Sequence, residues 1–399
     1  LYLDGTKLEA NANKNTFVWM RSVDKFEPKA QKKMHELISK INSYLKNEGI
    51  EGRISLLRNM NDDFFEETKT FLKNIIDEKN VEFVKGKGKR KTPLQRYFEE
   101  FKLLAERLSK YTYYRETAGD RTSFSKVDPS TTYMHMKYDY YCNTGVFKPG
   151  YNVQFGVQDG YIAAVLVTPN CNDMKDFIPA VEKYKEMYGR YPKSVPADAG
   201  YGSYENYRYC KEHDIELMMK YPTYSLEKKA RKKDRFKSCM FQKDEDGTPI
   251  CPADKKMEFE HESYQIVGGH LKKNMHYRGV DCANCPPKNK CTKSNKGRTL
   301  GISPELEKFK EEVRQNLSTK DGQLKMQNRS IYSEGAFGIM KQNRGYDRLR
   351  RRGFENVEME IQLVAIGQNI NHLKNRLTRK PTVRQSDLHK EQEIENTKN

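Results

Sequence analysis

An acid delivered at the end of an apolar run is the first feature of this sequence that could do chemistry. In Ser194-Val195-Pro196-Ala197-Asp198-Ala199-Gly200-Tyr201-Gly202-Ser203-Tyr204 the run ends at Asp198, and a helix-opening segment, Ser203 to Tyr209, comes next. The pattern sets a carboxylate at the carboxyl edge of a sheet, where a strand turns into a helix. It equally suits an Asp that caps the following helix. Asp4, in Leu3-Asp4-Gly5-Thr6-Lys7, sits in a second strand. Glu334 sits on a helix, with Lys341 two turns further along and so on the same face. Arg344, Arg348, Arg350, Arg351 and Arg352 follow before Gly353. A carboxylate amid that many cations suits a place where phosphates and a divalent metal meet. A salt-bridged surface helix has the same composition.

Thiols offer a second chemistry. Cys251, the pair Cys282-Ala283-Asn284-Cys285, and Cys291 cluster in a basic, polar stretch. One Cys-x-x-Cys pair with two outlying cysteines predicts a closed, structural, tetrahedral site for one Zn²⁺, with ordinary reduced cysteines as the alternative. Cys239, His270 and His276 are substitute ligands or bystanders, and Cys142, Cys171 and Cys210 are buried or incidental. Trp19, the only tryptophan, has no assignment.

The elements that must position these groups follow from periodicity and punctuation. Leu1 to Ala12 predicts a strand. Three helical segments come next, the first two striped by Met34, Leu37, Ile38, Ile41 and by Phe64, Phe65, Leu72, Ile75. The third opens on Thr92-Pro93-Leu94-Gln95, a cap residue, a first-turn Pro and a capping-box Gln. Between the second and third lies the basic linker Lys85 to Lys91. From Gly150 the pattern becomes a hairpin, Tyr151–Val157 and Tyr161–Val167 about Asp159-Gly160. A helix over 173–188 then leads to the Asp198 strand. This is a mixed α/β order. A long helical region, 304–377, closes the fold, and the polar tail is expected to be disordered.

Bulk properties narrow the partners. The chain has 399 residues, 36% hydrophobic, with 73 Lys and Arg against 55 Asp and Glu, a formal charge of +18. That balance favours a polyanion, nucleic acid first, although a merely soluble basic protein shares it. Eight cysteines without a secretory leader predict a reducing compartment. No apolar run approaches the length of a membrane span. The opening, Leu1-Tyr2-Leu3-Asp4, predicts that a part of the protein lies upstream.

Four segments in order then carry a resemblance. They are Leu3-Asp4-Gly5-Thr6-Lys7-Leu8-Glu9-Ala10-Asn11-Ala12, Gly150-Tyr151-Asn152-Val153-Gln154, Ala197-Asp198-Ala199-Gly200-Tyr201 and Glu334-Gly335-Ala336-Phe337-Gly338. Together they resemble bacterial insertion-sequence transposases of the DDE class over roughly residues 1 to 376. The resemblance implies a ribonuclease-H-like mixed sheet with flanking helices, in which two Asp and one Glu hold two Mg²⁺. Asp4 matches the first acid, Asp198 the second, Glu334 the third and Lys341 the family's Lys. Arg329 stands one residue from the spacing of the family's Arg, and Gln327 stands where its Tyr would be. Asp128, in Val127-Asp128-Pro129-Ser130-Thr131, is a rival for the first acid and also reads as a turn.

The physics of such a triad does not depend on the name. Cleaving a phosphodiester needs a strong nucleophile and neutralised charge on the attacking and leaving oxygens, and two hard cations among carboxylates supply both. The expected organisation is a first core strand (1–20), a helical insertion (21–125), core (126–220), a basic Cys-rich insertion (221–301), core helices (302–377) and the tail (378–399). The expected activity is cleavage of transposon ends and strand transfer into target DNA. Lys341, Arg344, Arg348, Arg350 and Arg351 would hold phosphate, and the protein would be an oligomer on DNA near the nucleoid. The competing readings are a nuclease of the same fold and a non-catalytic DNA-binding remnant.

Overall fold

The computed structural model describes residues 1–56, 60–86, 90–136, 145–229 and 232–378. Cys142, part of the basic linker, Ala230, Arg231 and the tail beyond Thr378 lie outside the described residues. In chain order the elements begin with β1 (Tyr2–Glu9), β2 (Phe17–Trp19), α1 (Met20–Asn47), α2 (Asp62–Glu78), α3 (Pro93–Ala118), β3 (Ser123–Ser125) and β4 (Thr132–His135). Next come β5 (Phe147–Gln158), β6 (Tyr161–Thr168), α4 (Phe177–Tyr188), α5 (Tyr204–Glu212) and α6 (Tyr224–Lys228). The small strands β7 (Gln242–Lys243) and β8 (Pro249–Ile250) precede β9 (Glu258–Val267), β10 (His270–Arg278), α7 (Lys288–Cys291) and β11 (Thr299–Ile302). The chain ends in α8 (Pro304–Ser318), α9 (Lys320–Arg329), α10 (Gly335–Gly338) and α11 (Phe354–Thr378).

The contacts divide the chain into two compact units, Ala10–Gly150 and the remainder, Leu1–Glu9 with Tyr151–Asn399. In the first, the apolar stripes read from the sequence form the core. Met34, Leu37, Ile38 and Ile41 of α1 meet Phe65 and Leu72 of α2 and Phe101 and Leu104 of α3. Thr92 caps α3, its hydroxyl accepting from the Gln95 amide at 3.2 Å. Gln95 itself is buried and bonds Val84 through both its amide oxygen and its amide nitrogen, tying the segment before α3 to the helix instead of closing a capping box. Antiparallel pairing of β2 with β3 joins the two ends of the helical segment. Trp19, on β2, stands edge-on to Phe17 and Tyr133.

The larger unit is built on a layer in which β6 pairs antiparallel with β5, and β5 lies beside β1. The Asp159-Gly160 turn joins the hairpin with both residues at positive φ, the geometry that matches strand twist. On the far side of β1 the layer continues through extended segments. The Leu1 nitrogen and the Leu3 amide donate to the Ser194 and Pro196 carbonyls, two residues on along each, so those segments run parallel. Parallel bridges then join Ser194 to Glu216 and Ala197 to Met219. The layer is therefore mixed, with α4, α5 and α8 covering its core through Phe177, Val181, Tyr207, Phe309 and Val313. Strands β9, β10 and β11 form a separate antiparallel sheet over a small core of Phe241, Met257 and Tyr277, against which Cys251, Met275, Cys291, Leu300 and Ile302 pack half-buried.

Candidate active site

Asp4 faces out of β1 beside a guanidinium. Arg329, at the end of α9, lies 3.6 Å from Asp4 and 2.9 Å from Glu334, and only 12% of its side chain is exposed. Ser330 Oγ donates to the same Glu334 oxygen. Burial pushes the Asp4 carboxyl up to about 6, against the pull of Arg329 and the Gly5 amide, with the Asp198 and Glu334 charges adding to the rise. Asp198 stands where the parallel segment ends, one of its oxygens fixed by the Gly200 amide at 2.7 Å. The acid in the first strand thus has the other two as electrostatic neighbours, and it shares the Arg329 cation with Glu334. Asp128 lies in the other unit, buried in a turn whose carbonyl takes both the amide and the hydroxyl of Thr131.

Why the chain folds this way beside Asp198 is a matter of clearance. A Cβ on Gly202 would come within 2.3 Å of the Lys220 carbonyl and 2.9 Å of the Tyr221 Cα, so only Gly lets the next parallel segment pass. Ser203 then caps α5 by accepting from the Asn206 amide. The neighbouring segment, Ile215–Met219, delivers Lys220 to the same edge. Burial lowers the Lys220 pKa, Arg329 and Lys228 lower it further, and the Asp198 charge opposes them.

Two further acids belong to this edge, and sequence reasoning took their stretch simply as helix. Asp173 accepts from Asn152 at 2.7 Å and from Gln154 at 2.9 Å. Asp176 is fully buried and accepts from Asn152, Gln154, Thr168 and Asn170. Desolvation nevertheless raises its carboxyl to about 6, with the Asp173 charge adding to the effect. The Tyr201 hydroxyl donates to Gln154, and burial together with Asp173, Asp4, Asp198 and Asp176 drives its pKa well above 10. Asn152 and Gln154 of β5 therefore connect the buried acids to the surface ones. The signal available in the sequence was the pair of amide side chains on one face of a strand otherwise filled by Val, Phe and Tyr.

The helix bearing Glu334 is not a regular α-helix. Ser330–Glu334 and Ile339–Asn343 are π-helical turns on either side of α10, a deformation common at functional sites. Tyr332 packs on Tyr2 of β1, and Phe337 stacks on Phe155 of β5 at 4.5 Å. Lys341 Nζ donates to the Lys7 carbonyl of β1, so Glu334 and Lys341 both face β1 even though the spacing is no longer two α-turns. The arginines lie beyond the helix, in a loop. Leu349 is buried and donates to the Glu9 carbonyl, and Glu360 receives the Arg350 and Arg351 amides and the Tyr346 hydroxyl. These ties leave Arg344, Arg348, Arg350, Arg351 and Arg352 all on the exposed side.

Part of the chain is similar to a known family. The family model described as Transposase DDE domain matches residues 250–374. The similarity takes in Glu334, Lys341, the arginine loop and the four clustered cysteines, and stops short of Asp4 and Asp198. No curated protein and no solved structure matches the chain.

Within the stretch similar to the Transposase DDE domain, Cys251, Cys282, Cys285 and Cys291 line a single small cavity with Val280, Pro287 and Arg298. None is in a disulfide. Burial raises the Cys291 thiol, and charge on the other three would raise it further, while Arg298 lowers it. The Cys282 sulfur fills space that Cβ atoms on Gly279 and Gly297 would take, at 2.8 and 3.2 Å. The substitute ligands are occupied elsewhere: His270 lies 3.3 Å from Glu212, and His276 bonds Ser263 and stacks on His261. Cys239 lines a different pocket, and Cys210 is buried in the main core. Among the described residues no group of three or more His, Cys, Asp or Glu is spaced to hold a metal ion as it stands. Among them, too, no helix is long and apolar enough to cross a membrane.

Proposed function

We propose that this chain carries the catalytic core of a DDE-type DNA transposase, which cuts transposon ends and joins the freed 3′-hydroxyl to target DNA. The observation that carries this reading is the convergence of Asp4 and Glu334 on Arg329, from a strand and a facing helix, with Asp198 on the adjacent parallel segment close enough for its charge to raise the Asp4 carboxyl. An antiparallel hairpin followed by parallel segments, with helices against the layer, supports a ribonuclease-H-like core. The similarity of residues 250–374 to the Transposase DDE domain supports it from the sequence side.

The donor set fits Mg²⁺ by type, since all three groups are carboxylates and hard cations take oxygen. Asp4, Asp198 and Glu334 would hold two ions, which when bound supply Lewis acidity at the scissile phosphate. The chain's own residues do the rest. Arg329 keeps Asp4 ionised against its burial, the Gly200 amide fixes the Asp198 carboxylate, and Lys341 with the arginine loop grips phosphates of duplex DNA. The four thiols, convergent on one cavity in a module with a small core, are proposed to hold one structural Zn²⁺. Elemental analysis of chelator-free protein should find about one zinc per chain. No zinc, or zinc retained after Cys282→Ser with Cys285→Ser, would reject that site.

The test of the activity is cleavage and joining of a labelled duplex bearing the repeats that flank the gene. Asp4→Asn, Asp198→Asn and Glu334→Gln should each lose cleavage by orders of magnitude while DNA binding persists, because metal neutralisation acts on the transition state. Cutting without joined product would favour a nuclease. Three single variants that cut like the parent would end the reading, and normal cutting by Asp4→Asn alone, with loss in Asp128→Asn, would move the first acid to Asp128.

A further inference from the structure

Asp173 is an acid that nothing in its own element requires. It opens a 3₁₀ turn, Asp173–Asp176, ahead of α4, and its side chain caps no backbone amide there. It turns to β5 instead. The Asn152 and Gln154 amide nitrogens both reach Asp173 Oδ1, and both of those residues are fully buried. The Tyr201 hydroxyl donates to Gln154 Oε1, which leaves Gln154 only its nitrogen to offer the acids. Asn152 keeps its own buried oxygen without a partner, a cost the fold accepts in order to aim the nitrogen. The same nitrogens serve Asp176, which burial obliges to be paired. Asp173 is only half-buried, where water would do, and is held by both amides all the same.

Its other oxygen borders the space beside Asp198. The position a Cβ on Gly200 would take lies 2.9 Å from Asp198 Oδ1 and 3.7 Å from Asp173 Oδ2, so two carboxylates edge one space that glycine leaves open. Gly200 is not at positive φ, so the backbone there does not ask for glycine. On the Asp4 side, Asp173 Oδ1 lies 2.6 Å from the position of a Cβ on Gly5. Asp173 therefore reaches from the residue after Asp4 to the second residue after Asp198. The cation of the site is on the opposite flank: Arg329 serves Asp4 and Glu334. Among the described residues neither Asp173 nor Asp198 makes an ion pair. Two carboxylates beside one space with no cation between them repel each other. A divalent cation removes that repulsion, and Mg²⁺ is commonly bound through one or two carboxylates, with waters completing its shell.

We infer that Asp173 is a fourth carboxylate of the metal site and shares one ion with Asp198. Asn152 and Gln154 hold Oδ1, which leaves Oδ2 for the ion. The inference rests on the metal-dependent reading proposed above and adds a ligand to it.

Mn²⁺, which takes the same oxygen ligands and is read by its paramagnetic resonance, tests this without DNA or turnover. In titrations of the full chain, Asp173→Asn and Asp198→Asn should each weaken Mn²⁺ binding about tenfold or more. Because the two act on one ion, both changes together should cost less than the product of the single losses. Losses that multiply in full overturn the shared ion. Asn still offers an oxygen to Asn152 and Gln154, so the urea midpoint of the metal-free protein should be unchanged. Should that midpoint fall, Asp173→Glu decides, since it keeps both charge and acceptor. It should bind Mn²⁺ more tightly than Asp173→Asn, and equal binding by the two overturns the inference. Parental binding in Asp173→Asn with loss in Asp198→Asn overturns this inference alone. Parental binding in both, and in Asp4→Asn and Glu334→Gln, overturns the metal-dependent reading with it.

Discussion

At the scale of the residue, the carboxyl-rich edge stores a cost that the fold must carry. Asp176 has no exposed surface, and its folded value near 6 stands above the usual 3.8. A raised carboxyl means that the folded chain keeps a proton that the unfolded chain has already released. Below about pH 4 both states are protonated and the group is neutral in the balance; as pH rises toward 6 the folded state loses stability, on the order of 3 kcal/mol in all. Urea midpoints between pH 4 and 7 should therefore fall less steeply in Asp176→Asn than in the parent. An identical slope in the two proteins would show that Asp176 ionises freely. Asp198 and Glu334 could be picked from the sequence because each follows or opens a recognisable element. Asp173, Asp176 and Lys220 could not, since their importance lies in which strand ends meet, and the short segment 215–219 has no period to announce it.

At the scale of the element, the site depends on close passages and on one stacked ring pair. Gly202→Ala would drive a Cβ into the Lys220 carbonyl. It should cost roughly 1–3 kcal/mol by forcing the parallel segments apart, seen as a lower denaturant midpoint with an unchanged slope. Phe337→Ala removes the ring stacked on Phe155 and should cost about 3–5 kcal/mol, releasing the helix that bears Glu334 from β5. Loss of less than about 1 kcal/mol would mean that Gln368 and Tyr332 hold that helix unaided. Helices α1, α2 and α3 and the β5–β6 hairpin were legible because apolar period and turn residues agree there. The π-helical turns were not: nothing in the apolar period announces them, and Lys341 reaches the Lys7 carbonyl from within the second of them. The arginines were expected on the helix and its exit; they sit in a loop held by Leu349 and Glu360.

At the scale of the molecule, charge sets how the protein meets a polyanion. With a formal +18 and five arginines exposed on one loop, duplex binding should weaken steeply with salt, with a log–log slope near −0.9 for each phosphate neutralised. Arg350→Glu with Arg351→Glu should make that slope shallower by about two. A slope already near zero in the parent would assign the charge to solubility. Composition made this expectation visible at once, whereas the division into two units was only half legible. The helical segment stood out by its period, but Ala10–Thr16 and Val127–Gly150, which complete that unit, have no helical stripe to mark them.

The discontinuity of the larger unit sets the order in which the protein can be made. Lys341 meets Lys7 across 334 positions of sequence, and β1 joins a body that begins at Tyr151. At about 5–20 residues per second, a ribosome takes tens of seconds to bring the partners of β1 out after β1 itself. Ala10–Gly150 needs nothing later in the chain for its own helix core and can close during that interval. The strand carrying the first acid therefore waits unpaired while the segment that follows it is already folded, and the helical turns that complete the site are made long after both.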